Sequence, residues 1–270
     1  MNSILLFPCE EMKLRLLFAA AAATAVAFAA PVCAQENDAP KDETKGFYVT
    51  TGVGGSWSSG NVDADTTNPT FQVDGVNYSS TGVLQGNAPL GGGVAVEAGV
   101  GYDFGNNFRS ELTYSYNAAS LGQSSFSTSN LKVDGDFYNG TATASTKGTV
   151  KTNSVLISGY YDIQTKSKFT PYVGGGIGYT SVSVPAQSRV NADWKVDGLT
   201  GPGWLDYSGG SASAFGYQAK IGVSYAVAKP ADLYLEGTYQ GNTGVTIGGT
   251  EFSALNLFGV RAGFRYRFGS

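Results

Sequence analysis

Ten charged side chains at alternating positions are the residues of this chain best suited to chemistry. Five are acidic and five are basic: Glu97, Asp103, Arg109, Glu111, Asp162, Lys220, Glu236, Arg261, Arg265 and Arg267. Such groups can act as general acids and bases, line an ion path, or hold one another in buried ion pairs. We expect Glu111 and two other mid-strand glutamates to neutralise Lys220 and Arg261. The prediction is an internal charge network that fixes the strands, and a charge-lined conducting pore is the alternative.

Several kinds of enzyme and ligand site are disfavoured by what the chain lacks. There is no histidine, which removes the commonest general base and metal ligand, and both cysteines lie in the first 34 residues. Gly174, Gly176 and Gly178 look like a phosphate loop, but they follow a strand period and are better explained as small inward residues that relieve crowding. Asp63 and Asp65 lack the glycine and distal glutamate of a calcium loop. We predict no catalytic residues, no cofactor and no metal site.

The elements that carry these side chains are strands. In residues 258–268 the even positions are apolar or aromatic, whereas the odd positions hold three arginines and two glycines. A period of two belongs to a strand, and about ten residues cross a bilayer when the strand is tilted. The same alternation predicts eight strands, at residues 46–57, 94–104, 108–117, 153–163, 169–180, 214–227, 232–240 and 258–268.

The connections between these strands alternate in length. Short turns such as Gly105-Asn106-Asn107 join strands two to three, four to five and six to seven. Long polar segments fill residues 58–93, 118–152, 181–213 and 241–255. Membrane barrels sort their turns and loops in this way, whereas a soluble β-sandwich, the alternative, has no reason to do so. We predict an all-β fold: an eight-stranded antiparallel transmembrane up-and-down β-barrel over residues 46–268, with long extracellular loops.

Outward-facing aromatic residues stand near the ends of the predicted strands. They are Phe47, Trp57, Phe104, Phe108, Tyr225 and Phe268. Aromatic rings concentrate where a barrel wall meets the lipid headgroups. We predict that these six are membrane-interface aromatics, and stacking on a ligand is the alternative.

The start of the chain has the features of a signal peptide. Two basic residues precede a small, apolar run over residues 16–30, and compact residues offer a cleavage site after Ala34. We predict a signal peptide over residues 1–34, with Met12 as an alternative start. Residues 35–45 are then a polar periplasmic N-terminal tail.

Two further hypotheses concern the leader and the charge of the remaining chain. Acylation of Cys33 would make a lipoprotein, but the preceding Val32 is larger than the residue such processing favours. Without the two acidic and two basic residues of the leader, 19 acidic and 15 basic residues remain. This mildly acidic balance predicts no nucleic-acid partner.

Three strand segments resemble the barrel strands of bacterial outer-membrane surface antigens. They read NSVLISGYYDI at 153–163, TPYVGGGIGY at 170–179 and GYQAKIGVSY at 216–225, and the opening GFYV at 46–49 also fits. The pattern is similar to rickettsial-type major surface proteins and to opacity-like porin-family barrels. The resemblance covers the strands and none of the long segments.

The barrel pattern and this resemblance together imply a protein of the cell outer membrane. The function expected is a structural and interaction role through the extracellular loops, and the protein is not expected to be an enzyme. Expected partners are the outer-membrane lipids, the barrel-assembly machinery, and host or cell-surface ligands held by the loops, with the chain itself a monomer. A small non-specific porin for polar solutes is the alternative function.

Overall fold

The computed structural model describes residues 45–68, 70–73, 76–79, 81–133, 136–196 and 199–268. The predicted signal peptide and all but the last residue of the predicted N-terminal tail lie outside the described residues. Among those that are described, no helix has the length and apolar character needed to span a membrane.

The described residues form strands along most of their length. In chain order these are β1 (Gly46–Ser58), β2 (Asn61–Thr67), β3 (Thr70–Val73), β4 (Val76–Ser79), β5 (Val83–Pro89), β6 (Gly93–Asp103), β7 (Phe108–Ser120), β8 (Gln123–Val133), β9 (Asp136–Ser145), β10 (Thr149–Asp162), β11 (Phe169–Val184), β12 (Gln187–Val196), β13 (Leu199–Tyr207), β14 (Gly210–Ala228), β15 (Ala231–Asn242), β16 (Val245–Ile247), β17 (Thr250–Phe252) and β18 (Asn256–Arg267).

Eight of these strands close into a barrel. Around the ring the order is β1-β18-β15-β14-β11-β10-β7-β6, and every neighbour is antiparallel. Closure occurs at β1, where Val49 lies opposite Val100 of β6 and Tyr266 of β18. Each predicted strand overlaps one of the eight, so the predicted up-and-down barrel is confirmed.

The two faces of the barrel wall differ as the alternation predicts. In β18, Arg261 and Arg265 are buried inside, whereas Val260 and Phe264 are exposed on the outside. Exposed valine, leucine, isoleucine, phenylalanine and tyrosine side chains continue around the whole ring. An apolar surface of this extent needs an apolar environment to cover it.

Three short turns lie at the end of the barrel that also holds residues 46 and 267. At the turn between β6 and β7, Gly105 and Asn107 have positive φ angles of 74° and 71°. The Gly105 amide donates to Asp103 Oδ1 at 3.0 Å, which fixes this turn. Glycine and asparagine tolerate that backbone region, which explains the predicted turn signal.

The four long segments are strands rather than irregular loops. They supply β2 to β5, β8 and β9, β12 and β13, and β16 and β17. These pair into a second sheet in the order β16-β17-β2-β5-β8-β9-β12-β13-β3-β4, called the loop sheet below. The sequence did not predict it because these strands are rich in serine, threonine, asparagine and glycine, which weakens their apolar period.

An apolar cluster fills the barrel where the loop sheet begins. Its buried members, called the apolar layer below, are Val62, Val150, Val182, Ala214, Val245, Ile247, Leu255 and Leu257. Val150 belongs to β10 and Leu257 to β18, which are opposite strands of the eight-membered ring. The apolar layer therefore extends across the barrel rather than along one wall.

Candidate functional site in the barrel interior

Four buried charges form a central network inside the barrel. Lys220 forms an ion pair with Glu97, and its Nζ lies 3.1 Å from Glu236 Oε1. Arg261 Nη1 donates to Glu97 Oε2 at 3.0 Å, and Tyr172 Oη donates to Glu236 Oε2 at 2.9 Å. The central network thus contains two acids and two bases, which balances its charge in an interior where a single unpaired charge is costly.

The central network crosses the full width of the lumen. Lys220 lies on β14 and Glu97 on β6, which are four places apart in a ring of eight and so face each other. An ion pair between opposite walls places both side chains in the path that a solute would take. A narrow eight-stranded barrel leaves just enough interior for side chains to fill.

Uncharged polar side chains continue this packing toward the apolar layer. Arg261 Nη2 donates to Asn117 Oδ1 at 3.1 Å and to Gln240 Oε1 at 3.3 Å. The Gln240 amide group in turn donates to Ser115 Oγ at 3.0 Å and to Ser154 Oγ at 2.9 Å. Gln240 on β15 also faces Ser115 on β7 across the ring. A second set of hydrogen bonds therefore spans the lumen.

A separate charged cluster surrounds Arg109. Its Nε donates to both carboxylate oxygens of Asp162 at 3.1 Å, and its Nη1 lies 3.5 Å from Glu111 Oε2. Tyr48 Oη donates to Glu111 Oε2 at 3.0 Å, and the guanidinium carbon lies 3.9 Å from the centre of the Tyr160 ring. Glu111 thus pairs with Arg109 rather than with Lys220 or Arg261, which the sequence suggested.

A third cluster lies at the short-turn end and includes one acid that sequence reasoning missed. Arg267 Nη2 lies 2.6 Å from Asp232 Oδ2, Arg265 Nη1 lies 3.5 Å from the same oxygen, and Arg267 Nε lies 3.9 Å from Asp103. Asp232 is 1% exposed. It is the first residue of the predicted strand 232–240 and has the same inward parity as Glu236, so the alternation within that strand already points to it.

The ten predicted charges therefore lie on the inner wall in three groups. Nine of them are buried, and Asp103 is half-buried at the rim. The sequence placed Glu111 in a mid-strand set with Lys220 and Arg261, whereas the structure separates the central network from the Arg109 cluster, which includes Glu111, and from the rim cluster.

Four inward tyrosines each lie beside an inward glycine on the neighbouring strand. The cross-strand pairs are Tyr48 with Gly101, Tyr160 with Gly174, Tyr172 with Gly222, and Tyr234 with Gly263. A Cβ atom added at any of these glycines would overlap the tyrosine side chain. Gly174 therefore makes room for a ring, and it does not belong to a phosphate loop.

The six predicted interface aromatics lie on the outer wall. Phe47, Phe104, Phe108, Tyr225 and Phe268 are exposed near the short-turn end, and Trp57 is half-buried toward the other end of β1. Phe47 packs against Tyr102, with ring centres 4.9 Å apart, and similar contacts join Phe108 to Tyr161 and Tyr225 to Phe169. The ring partners Tyr102, Tyr161 and Phe169 were not among the predicted six, although they too are aromatic residues near strand ends.

The outer face of the loop sheet carries a polar hollow of about 500 Å³. Its lining includes Asp63 and Asp65 with side chains of β5, β8 and β9. The Asn87 side-chain amide donates to Asp63 Oδ1 at 3.0 Å. Within the described ranges, no three acidic side chains gather as a metal site would require. The hollow offers hydrogen-bonding groups and negative charge to a polar partner.

Comparison with known proteins identifies relatives of the barrel. A family model described as surface antigen matches residues 92–263. Outer membrane protein PagN of Salmonella typhimurium is 25% identical over 186 residues, which cover 68% of this chain and 69% of PagN.

Two solved structures align with most of this chain at low sequence identity. Neisserial surface protein A aligns with a TM-score of 0.41 and 18% identity, over 82% of this chain and 97% of its own. OprG from Pseudomonas aeruginosa aligns with a TM-score of 0.39 and 12% identity, over 84% of this chain and 99% of its own.

Proposed function

The chain belongs to the surface antigen family, and on this premise we propose that it is a closed barrel that acts at the cell surface through its loop sheet. As a family member with a closed β-barrel, it is a protein of the outer membrane. The proposed role is structural and interactive rather than enzymatic.

The observation that carries this proposal is the filled interior. The central network, the hydrogen bonds of Gln240 and the apolar layer each join opposite walls, at three successive levels of the barrel. The alternative, a small porin for polar solutes, would need water to pass all three levels. Paired charges hold one another across the lumen, and apolar side chains do not favour ion passage.

The first prediction concerns conduction. Folded protein in planar lipid bilayers is expected to show no large, steady conductance, and at most brief, small openings when an internal ion pair breaks. Water-filled porins have about 16–18 strands, so one of them provides the positive control. Heat-unfolded protein is the negative control. Large, stable conductance steps that need the folded barrel would establish the porin function and refute the closed barrel.

The outer wall supports the proposed membrane partners. Its apolar side chains would contact lipid acyl chains, and the aromatic pairs around Phe47, Phe108 and Tyr225 would lie at one headgroup level. Closure of the ring leaves no free barrel edge, so we propose that the protein is a monomer inserted by the barrel-assembly machinery.

The loop sheet is the proposed interaction surface. Its polar hollow, which includes Asp63 and Asp65, presents carboxylate, amide and hydroxyl groups side by side on a paired sheet. Strands hold such groups in a fixed pattern at a lower entropy cost on binding than irregular loops would. We propose that host or cell-surface molecules are recognised here.

The second prediction concerns export and orientation. We propose that residues 1–34 are removed and that the loop sheet faces outward. A membrane-impermeant amine reagent applied to intact cells should then modify Lys147 and Lys151, which are exposed at the loop-sheet end. Lys166 and Lys168, exposed in a short turn at the other end, should react only after the cells are broken. Reversed labelling would refute the orientation, and an N-terminus other than Gln35 would refute the cleavage site.

A further inference from the structure

A second cavity lies inside the loop sheet, on the opposite face from the polar hollow. It has a volume of about 690 Å³ and receives side chains from all four long segments. Its larger apolar lining residues are Leu84, Leu121, Phe126, Val184, Tyr207 and Phe252. Because these residues come from four separate parts of the sequence, the cavity exists only when the loop sheet is assembled.

The apolar layer supplies the floor of this cavity. Leu121, Val184 and Phe252 line the cavity and also pack against the apolar layer, which closes the barrel beneath them. A molecule in the cavity would therefore rest on apolar side chains, above the charged interior. The site is separate from the central network.

Two aromatic rings give the cavity one ordered wall. The rings of Tyr207 and Phe252 meet edge to face, with centres 6.0 Å apart. The Tyr207 hydroxyl donates to the Ile247 carbonyl at 3.2 Å. The hydroxyl thus has a hydrogen-bond partner within the protein, and the ring can contact a molecule in the cavity. Burial raises the pKa of Tyr207 to about 12, further above physiological pH than its usual value, so the phenol adds no charge to the cavity.

The polar groups of the cavity are hydroxyls and amides. Thr66 and Thr250 share a hydrogen bond of 2.8 Å, and Ser124 and Thr146 share one of 3.0 Å. None of the described lining residues is charged. A charged ligand would lose its hydration without gaining a counter-charge, whereas a neutral hydroxyl or carbonyl group could pair with these hydroxyls.

We propose that this cavity binds a small neutral molecule with an apolar body and one hydroxyl or carbonyl group. The volume falls in the range of sites for small organic ligands, roughly 300–1,000 Å³, and an apolar wall with a few polar groups is typical of them. The inference goes beyond the proposed function and does not depend on whether the lumen conducts.

The third prediction tests this site by photolabelling. The full chain in lipid nanodiscs is irradiated with a diazirine analogue of 1-octanol, and the labelled residues are found by protease digestion and mass spectrometry. Labelling of cavity residues such as Phe126 and Phe252 is expected to saturate and to fall when unmodified 1-octanol is added. Labelling of Leu112 on the outer wall, which is 50% exposed, should rise without saturation because lipid-dissolved probe reaches it directly.

A matched pair of variants locates the binding. Ala88 lines the cavity, so Ala88→Trp should fill it and weaken cavity labelling by at least about tenfold. Ala98→Trp makes the same change on the exposed outer wall and should leave cavity labelling unchanged. Heat-dependent gel migration checks that both variants fold. Unsaturable cavity labelling in the unmodified chain, or equal labelling of the folded Ala88→Trp variant, would overturn the proposal.

Discussion

Replacing Arg261 with alanine is expected to lower the free energy of unfolding by about 3–5 kcal/mol, because it removes one partner of a buried ion pair and leaves the other charge less compensated. The Arg261 side chain is 1% exposed and holds Glu97 at 3.0 Å. Its Nη2 also donates to Asn117 and Gln240 at 3.1 and 3.3 Å. Without it, Glu97 keeps only Lys220, and two amide oxygens lose a donor. Denaturant unfolding of the barrel in lipid, followed by tryptophan fluorescence, measures the change.

Two further variants make this prediction specific. Arg261→Lys keeps the positive charge but cannot reach Glu97 and the amides at once, so its loss should be smaller. Lys147→Ala removes an exposed charge and should change the free energy of unfolding by no more than about 0.5 kcal/mol. Equal losses for Arg261→Ala and Lys147→Ala would show that the central network does not stabilise the barrel.

Replacing Gly174 with alanine is expected to cost about 1–3 kcal/mol, because the added methyl group overpacks the interior. The new Cβ would overlap the ring of Tyr160 on the adjacent strand. That ring cannot easily move away, since it is stacked on Arg109 at 3.9 Å and its hydroxyl donates to Glu111 at 3.4 Å. The same denaturant titration measures the loss.

The neighbouring Gly175 provides a matched control, for which alanine is expected to leave the free energy of unfolding unchanged or to raise it. Gly175 is exposed on the outer face, and a Cβ there would meet only Gln218 O at 3.6 Å, an ordinary contact. Gly175→Ala should be neutral or stabilise by up to about 1 kcal/mol, because alanine restricts the unfolded chain. If both glycines tolerate alanine equally, the ring of Tyr160 does not fill the space beside Gly174. A double-mutant cycle that combines Gly174→Ala with Tyr160→Leu measures the coupling between these two residues directly.

In the proposed function, the closed interior and the loop sheet have different roles. The charged and polar levels sit within the barrel wall and contribute stability, whereas the polar hollow and the cavity lie in the loop sheet beyond it. If the loop sheet recognises a partner as proposed, changes there are expected to alter recognition without disturbing the central network. Family membership supports the surface role, and the polarity of each face suggests what could bind there.

The strands of the barrel could be predicted because their cause is local. In β18 and the seven other barrel strands, successive side chains face the apolar surroundings and the interior in turn. The sequence of each strand therefore alternates between apolar and polar residues with a period of two. The inward orientation of the ten charges follows from the same parity. Asp232, the first residue of the predicted strand 232–240, has the same inward parity and could have been predicted with them.

The pairing of those charges could not be predicted, because it depends on distances across the ring. Lys220 meets Glu97 because β14 and β6 become opposite walls once eight strands close, although the two residues are far apart in the chain. Glu111 also points inward, as Glu97 does, but it lies two residues from Arg109 on β7 and forms its ion pair with Arg109.

The sequence by itself determined the barrel, its inside and its outside, because alternation between two environments is a property of each strand alone. Only the tertiary structure decided the ion-pair partners, the loop sheet and the cavity beside Tyr207 and Phe252. Strands such as β2 and β17 carry no strong apolar period, and they become a sheet only because barrel closure brings their backbones into hydrogen-bonding reach. The physical reason is that long-range pairing, unlike local alternation, is fixed by the geometry of the closed ring.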